Sequence, residues 1–291
     1  MTDLVWERDW PERTSTLVLA FSGWFDAASA ATGAVDHLIA HTGATRLAHI
    51  DSERFLDAQQ VRPHVSITDG VTRTITWPDN TIYASTDDDG HELVLLSGIE
   101  PHYAWRDFAD LLVELATATS AQLVISLGAT ASQTPHTRMP MVRASSTDDA
   151  LVHRFGLHRP HYEGPTGIVG VLHAELDTRR IAAMSMQVGV PHYASATPNP
   201  KASMALLTSL ERVTGIPTGH DVLTDAVTEW EQMVDDAVSE SAEGAGYLPQ
   251  LEARYDAAAT SELPSSDDLA ADFERYLRDL DEGDDPGTDG A

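Results

Sequence analysis

Cysteine is absent from the 291 residues, which excludes thiol catalysis, cysteine-based zinc sites and any disulfide framework. Lys201 is the only lysine, so a Schiff base or a lysine clamp on phosphate would have to use that one residue. Basic residues are scarce altogether: 18 Lys and Arg stand against 46 Asp and Glu, a formal charge of −28. A polyanion of this kind is repelled by phosphate backbones and anionic lipid, which argues against nucleic-acid and membrane-surface partners. No run reaches the roughly 18 uninterrupted apolar residues of a membrane span. Asp3, Glu7, Arg8 and Asp9 stand where a signal peptide would carry its apolar stretch. The expectation is a soluble, cytoplasmic protein.

Hydrophobic residues make up 42% of the chain, enough for a substantial core. Short apolar runs alternate with segments of helical period. Leu17–Phe21 reads as a buried strand, and the segment from Ala27 to His41 as a helix with Asp26 at its N-cap. Leu47–Ile50 is the next strand, so the three make a βαβ unit and favour a parallel sheet. Val71–Trp77 and Thr81–Ser85 read as a hairpin around Pro78-Asp79-Asn80. Further strands fall at Glu92–Ser97, at Leu123–Leu127 ending on Gly128, and at Ile181–Val188. Helical stripes run from Ala104 to Leu115, after the capping box at Ser146, after Gly167, and from about Lys201 to Thr214. The expected fold is α/β, a layered phosphorylase/hydrolase-like domain with a mostly parallel or mixed sheet, over residues 1–218.

Beyond Gly219 the strand signal stops. Leu223, Val227, Trp230, Val234 and Val238 lie on one helical face, and Leu248, Leu251 and Tyr255 resume it after Gly244-Ala245-Gly246. Leu269, Phe273, Tyr276, Leu277 and Leu280 form a last stripe. Residues 219–280 thus read as a helical C-terminal extension, and 281–291, acidic and Gly-rich, as a disordered tail.

Four segments could carry chemistry. Gly23-Trp24-Phe25-Asp26 leaves the first strand at the sheet's carboxyl edge, where ligands bind in open α/β sheets. There Asp26 is either a functional carboxylate or a helix cap, with Trp24 packed under the loop. The loop after Gly128 holds His136 and Arg138, a pair suited to phosphate or carboxylate. Val190-Pro191-His192-Tyr193 offers His192 as a general base, with no adjacent serine or acid to complete a triad. Tyr162-Glu163-Gly164-Pro165-Thr166-Gly167 could cradle an anion at a helix N-terminus or be a tight packing turn. There is no G-x-G-x-x-G, Walker loop, G-x-S-x-G or H-E-x-x-H. Neither a cofactor nor a metal is expected, and the residues alone define no catalytic array.

Taken in order, several of these segments resemble the PAC2 family, the proteasome-assembly-chaperone-2-like proteins, over roughly residues 14–215. They are Gly23-Trp24-Phe25-Asp26-Ala27, Val61-Arg62-Pro63, Gly98-Ile99-Glu100-Pro101 with Trp105, Pro135-His136-Thr137-Arg138, Tyr162–Ile168 and Val190-Pro191-His192-Tyr193. The resemblance implies a mixed sheet between helices and a non-enzymatic role in protein–protein interaction. It also implies a homo-oligomer, a trimer by likeness to bacterial members, with proteasome subunits as candidate partners. Family members that dock into proteasome pockets often end in a hydrophobic-tyrosine-any tripeptide, whereas Asp289-Gly290-Ala291 stands here. The competing expectation is a small-ligand binder or a hydrolase/phosphorylase-type enzyme. Its site would lie at the sheet edge around Gly23, Trp24, Asp26, Glu100, His136, Arg138, Gly164, Thr166 and His192.

Overall fold

A computed structural model describes residues 3–10, 13–86, 90–240 and 242–261. The stripe from Leu269 to Leu280 and the acidic tail lie outside the described residues.

Alternation of large apolar side chains along single strands forces a two-sided sheet. In β2 (Ser15–Ser22), Leu17, Leu19 and Phe21 enter one core, while Val18 and Ala20 enter the other. β7 (Glu92–Ile99) and the middle of β8 (Ala121–Ser132) are buried in the same continuous way, whereas in β10 (Ala183–Pro191) buried Met184, Met186, Val188 and Val190 alternate with the half-buried Ser185, Gln187 and Gly189. These four pair in parallel, in the order β7-β2-β8-β10, at the centre of an eight-stranded mixed sheet. β6 (Asn80–Thr86), β3 (Thr45–Ile50) and β1 (Leu4–Trp6) continue antiparallel beyond β7, and β9 (Val142–Ser145) closes the opposite edge.

Helices cover both faces. α1 (Ala30–His41) and α5 (Pro200–Thr214) bury Ala31, Val35, Leu38, Leu206 and Leu210 on one side. α2 (Trp105–Ala118) and α4 (Ile168–Thr178) bury Phe108, Leu112, Leu172 and Leu176 on the other. Phe108 stacks edge-on against both Phe21 and Phe55, with ring centroids 5.7 and 5.2 Å away. The short α3 (Asp149–Phe155) is capped by Asp148, whose carboxylate accepts from Ala150 N and Leu151 N. Ser146, the expected cap, instead donates to Ala183 O and accepts from Asp148 N. α6 (Thr224–Ser239) packs on α5, and α7 (Ala242–Ser261) on α6.

Four sequence expectations are corrected. The hairpin is formed by β4 (His64–Thr68) and β5 (Thr72–Thr76), outside the main sheet. Its turn, Asp69-Gly70, has φ of 54° and 68°, the left-handed pair that matches strand twist, whereas Pro78-Asp79-Asn80 leads into the main sheet. The crossover from β2 through α1 does lead to a strand of the same direction, but β7 and β6 lie between β2 and β3. Finally, β8 continues through Gly128 to Ser132. A Cβ at Gly128 would lie 1.8 Å from the Phe25 ring, so the glycine makes room for an aromatic side chain rather than ending the strand. Helix α7 likewise runs through Gly244 and Gly246.

Candidate functional site

β2, β7, β8 and β10 share a direction, so Gly23, Glu100, the loop after Ser132 and His192 all emerge at one edge. Glu100 ties this edge together. Its carboxylate accepts from Trp24 N at 3.1 Å through one oxygen and from Ile168 N at 3.0 Å through the other. The second bond places a negative charge at the N-terminus of α4, where the helix dipole favours it. Gly23 and Gly167 allow the approach: a Cβ on either would fall 2.6 and 2.7 Å from the Glu100 oxygens. Trp24 is 65% exposed, so it does not pack under the loop. Nearby, Tyr162 OH donates to Pro165 O at 3.0 Å and fills the space a side chain at Gly164 would need. Thr166 Oγ1 lies against Gly170 on the first turn of α4.

Asp26 is buried and serves α1 from a distance. One carboxylate oxygen accepts from Ala31 N at 2.9 Å and Thr32 N at 3.2 Å, and the other from Thr32 Oγ1 at 2.5 Å. The usual cap position, Ser29, makes no side-chain cap bond. Asp26 reaches the helix because Ala28 and Ser29 stand in the left-handed region, with φ of 57° and 48°. Both residues are non-glycine, and Ala28 is held by Ser195 O and Asn199 N. Burial raises the Asp26 pKa above the ordinary aspartate value despite these bonds.

His136 and Arg138 lie under the C-terminal helices α6 and α7. The buried His136 ring lies between Tyr193 and α6: Nδ1 is 2.8 Å from Tyr193 OH and Nε2 is 2.8 Å from Asp235 Oδ1. Tyr193 OH also accepts from His136 N at 3.0 Å. Burial raises the Tyr193 pKa. Lys201, itself buried, donates to His136 O at 2.7 Å and pairs with Glu231 on α6. Arg138 forms a fork on Asp256 of α7, both contacts at 3.0 Å, and reaches Glu252 at 3.2 Å. The Asp256 bond raises the Arg138 pKa and lowers that of Asp256. The sole lysine and the candidate anion-binding arginine are therefore both committed to joining the 133–141 loop to α6 and α7.

The nine candidate residues do not line one cavity. Gly23 and Glu100 border a cavity of about 640 Å³ with Asp57, His102, Tyr103 and Trp105. His192 borders another of about 390 Å³, with Tyr193, Met233, Val238 and Tyr247. Its Nδ1 lies 3.1 Å from Ser132 O. Asp57 and His102, whose Nδ1 accepts from Asp57 N at 3.2 Å, are not legible as neighbours in the sequence because 45 residues separate them. Asp235, Glu231 and Asp256 are hidden for the same reason. The one sequence signal for them is Lys201, a lone lysine among apolar helical positions. Among the described residues, no group of three His, Asp or Glu side chains is placed to hold a metal ion. Nor is any helix among them long and apolar enough to cross a membrane.

Fold and edge together define a three-layer α/β domain whose sheet edge is tied together by its own loops and helices and borders a cavity of about 640 Å³. Residues 20–238 match the family model described as the PAC2 family. The chain is similar to a PAC2 family protein from Streptomyces avermitilis, with 36% identity, TM-score 0.75, and 81% of this chain and 100% of that chain covered. It is also similar to Rv2125, a Mycobacterium tuberculosis proteasome-assembly chaperone homologue. There the identity is 37% and the TM-score 0.73, with 80% of this chain and 99% of that one covered. An archaeal proteasome activator, PbaB of Pyrococcus furiosus, shares the fold at 18% identity and TM-score 0.63, with 81% of this chain and 99% of that one covered. No match is found among curated proteins. The chain belongs to the PAC2 family.

Proposed function

We propose that the chain is a self-associating, cytoplasmic protein that acts through protein–protein contacts, as a proteasome-assembly-chaperone-like factor or scaffold without chemistry of its own. In this reading residues 1–218 form the α/β domain and residues 219–280 a helical extension, of which α6 and α7 pack against the 133–141 loop. The observation that carries it is the use of the charged side chains at the carboxyl edge. Asp26, Glu100, Arg138 and Lys201 are each bonded within the chain. Beside the exposed polar residues Glu163, Thr166 and His192, the edge presents three aromatic side chains, Trp24, Tyr103 and Tyr162, all more than half exposed. Aromatic surface of this kind is typical of protein contacts rather than of proton transfer. The similarity to a chaperone homologue supports the same reading, although fold alone does not assign function.

The test mixes the purified chain with purified proteasome α and β subunits and follows complexes by native mass spectrometry. A complex with α or β subunits and faster ring formation are expected. No complex at tens of micromolar, with ring formation unchanged, overturns the proposal.

A further inference from the structure

β4 and β5 stand apart from the main sheet as a two-stranded ribbon, and every residue in both strands is exposed. The ribbon has two unlike faces. Val65 pairs with Ile75 and Ile67 with Arg73, which puts these four on one side, and Trp77 directly follows β5. His64, Ser66, Thr68, Thr72, Thr74 and Thr76 make up the other. Val65, Ile67, Ile75 and Trp77 are 53%, 59%, 51% and 63% exposed. Alternation between apolar and hydroxyl residues is the pattern of a strand pair with one covered face, yet nothing among the described residues covers it. A two-stranded hairpin without a cover is marginal in water, so a partner on the apolar face stabilises it.

We propose that the apolar face of this hairpin is the surface through which copies of the chain associate; this rests on the self-association put forward above and assigns it a location. Two observations select a second copy as the occupant. A second copy is present wherever the chain is, at matching concentration. Charge points the same way. At −28, copies repel across most of their surface. From Val61 to Trp77 the acidic excess disappears: Arg62 and Arg73 face a single acid, Asp69. The hairpin is thus where an acidic chain can approach another without repulsion, and Arg73 brings a cation to it.

The test measures the mass of the full chain by sedimentation equilibrium for the natural protein and two variants. Ile67→Lys with Ile75→Lys places charges on the apolar face. Ser66→Lys with Thr74→Lys places equal charge on the hydroxyl face. All four side chains are exposed, and far-UV circular dichroism checks that each variant retains the fold. The natural chain is expected to have a mass of several copies, and the hydroxyl-face variant to retain it. The apolar-face variant should dissociate at least about 30-fold more readily, the factor set by the loss of one hot-spot side chain worth about 2 kcal/mol. An apolar-face variant with the natural mass overturns the location while leaving self-association standing. A natural chain of single-copy mass overturns both. If it nevertheless binds proteasome subunits through this face, the occupant is a different partner and the second-copy assignment fails.

Discussion

Replacing Glu100 with alanine tests the carboxyl edge most directly. The side chain joins the end of β7 to the loop after β2 and to the first residue of α4 through bonds of 3.1 and 3.0 Å. Each accepts a backbone N–H into a carboxylate, a class of bond worth about 1.5–3 kcal/mol when its partner is left unpaired. Trp24 N lies at an exposed site where water can replace the lost acceptor, so its share falls at the low end or below. Ile168 is buried, and its helix terminus also loses the anion, about 0.3–1 kcal/mol more. The sum is about 2–4 kcal/mol. Urea unfolding of the full chain at pH 7, followed by circular dichroism, should show the midpoint lowered with the slope retained. Glu100→Gln should lose roughly half as much, because its amide oxygen serves one N–H while its NH₂ opposes the other. A loss below about 0.5 kcal/mol for Glu100→Ala, the range of an ordinary surface substitution, refutes the structural role assigned here.

Asp26→Ala should destabilise by about 3 kcal/mol, because Ala31 N, Thr32 N and Thr32 Oγ1 lose their acceptor in a buried site. Asp26→Asn should stay within about 1 kcal/mol of the natural chain at pH 7, since the amide removes a buried charge while retaining an acceptor. The raised pKa fixes the sign: as pH rises from the unfolded value towards the folded one, the unfolded state releases its proton first and stability falls. Asp26→Asn should flatten that part of a stability–pH curve measured by thermal unfolding. His173 shows the opposite dependence. Burial depresses its pKa from 6.5 to about 4, and its Nε2 lies 2.9 Å from the buried Ser126 Oγ. Its contribution is present above pH 6.5 and is lost as pH falls to about 4, because the unfolded state takes up the proton first. The loss is about 3 kcal/mol at 1.36 kcal/mol per pKa unit. His173→Asn should remove most of this acid sensitivity, and an unchanged melting curve across the window would contradict it.

Several features are legible in the sequence because they are local. Leu17–Phe21, Leu93–Leu96 and Leu123–Leu127 are short apolar runs bounded by turn residues, the pattern of buried strands. Asn199 ahead of Pro200 announces α5, and its side chain accepts from Ala202 N at 3.0 Å. Six weak motifs in order suffice to point to the family. Asp69-Gly70 is a local signal too, masked by the competing turn at Pro78-Asp79-Asn80.

Tertiary structure alone decided the roles of the polar residues. Asp26, Glu100, His136 and Arg138 look like reactive groups at a sheet edge because sequence shows a side chain's chemistry but not its partners. Those partners lie 5 to 118 residues away: Ala31, Ile168, Asp235 and Asp256. Hydrogen bonds over such distances leave no periodicity behind, since they depend on how strands and helices are stacked rather than on any spacing along the chain. The hairpin is the converse case. Its alternation of apolar and hydroxyl residues records a covered face, and only the folded molecule shows that the described residues leave that face open.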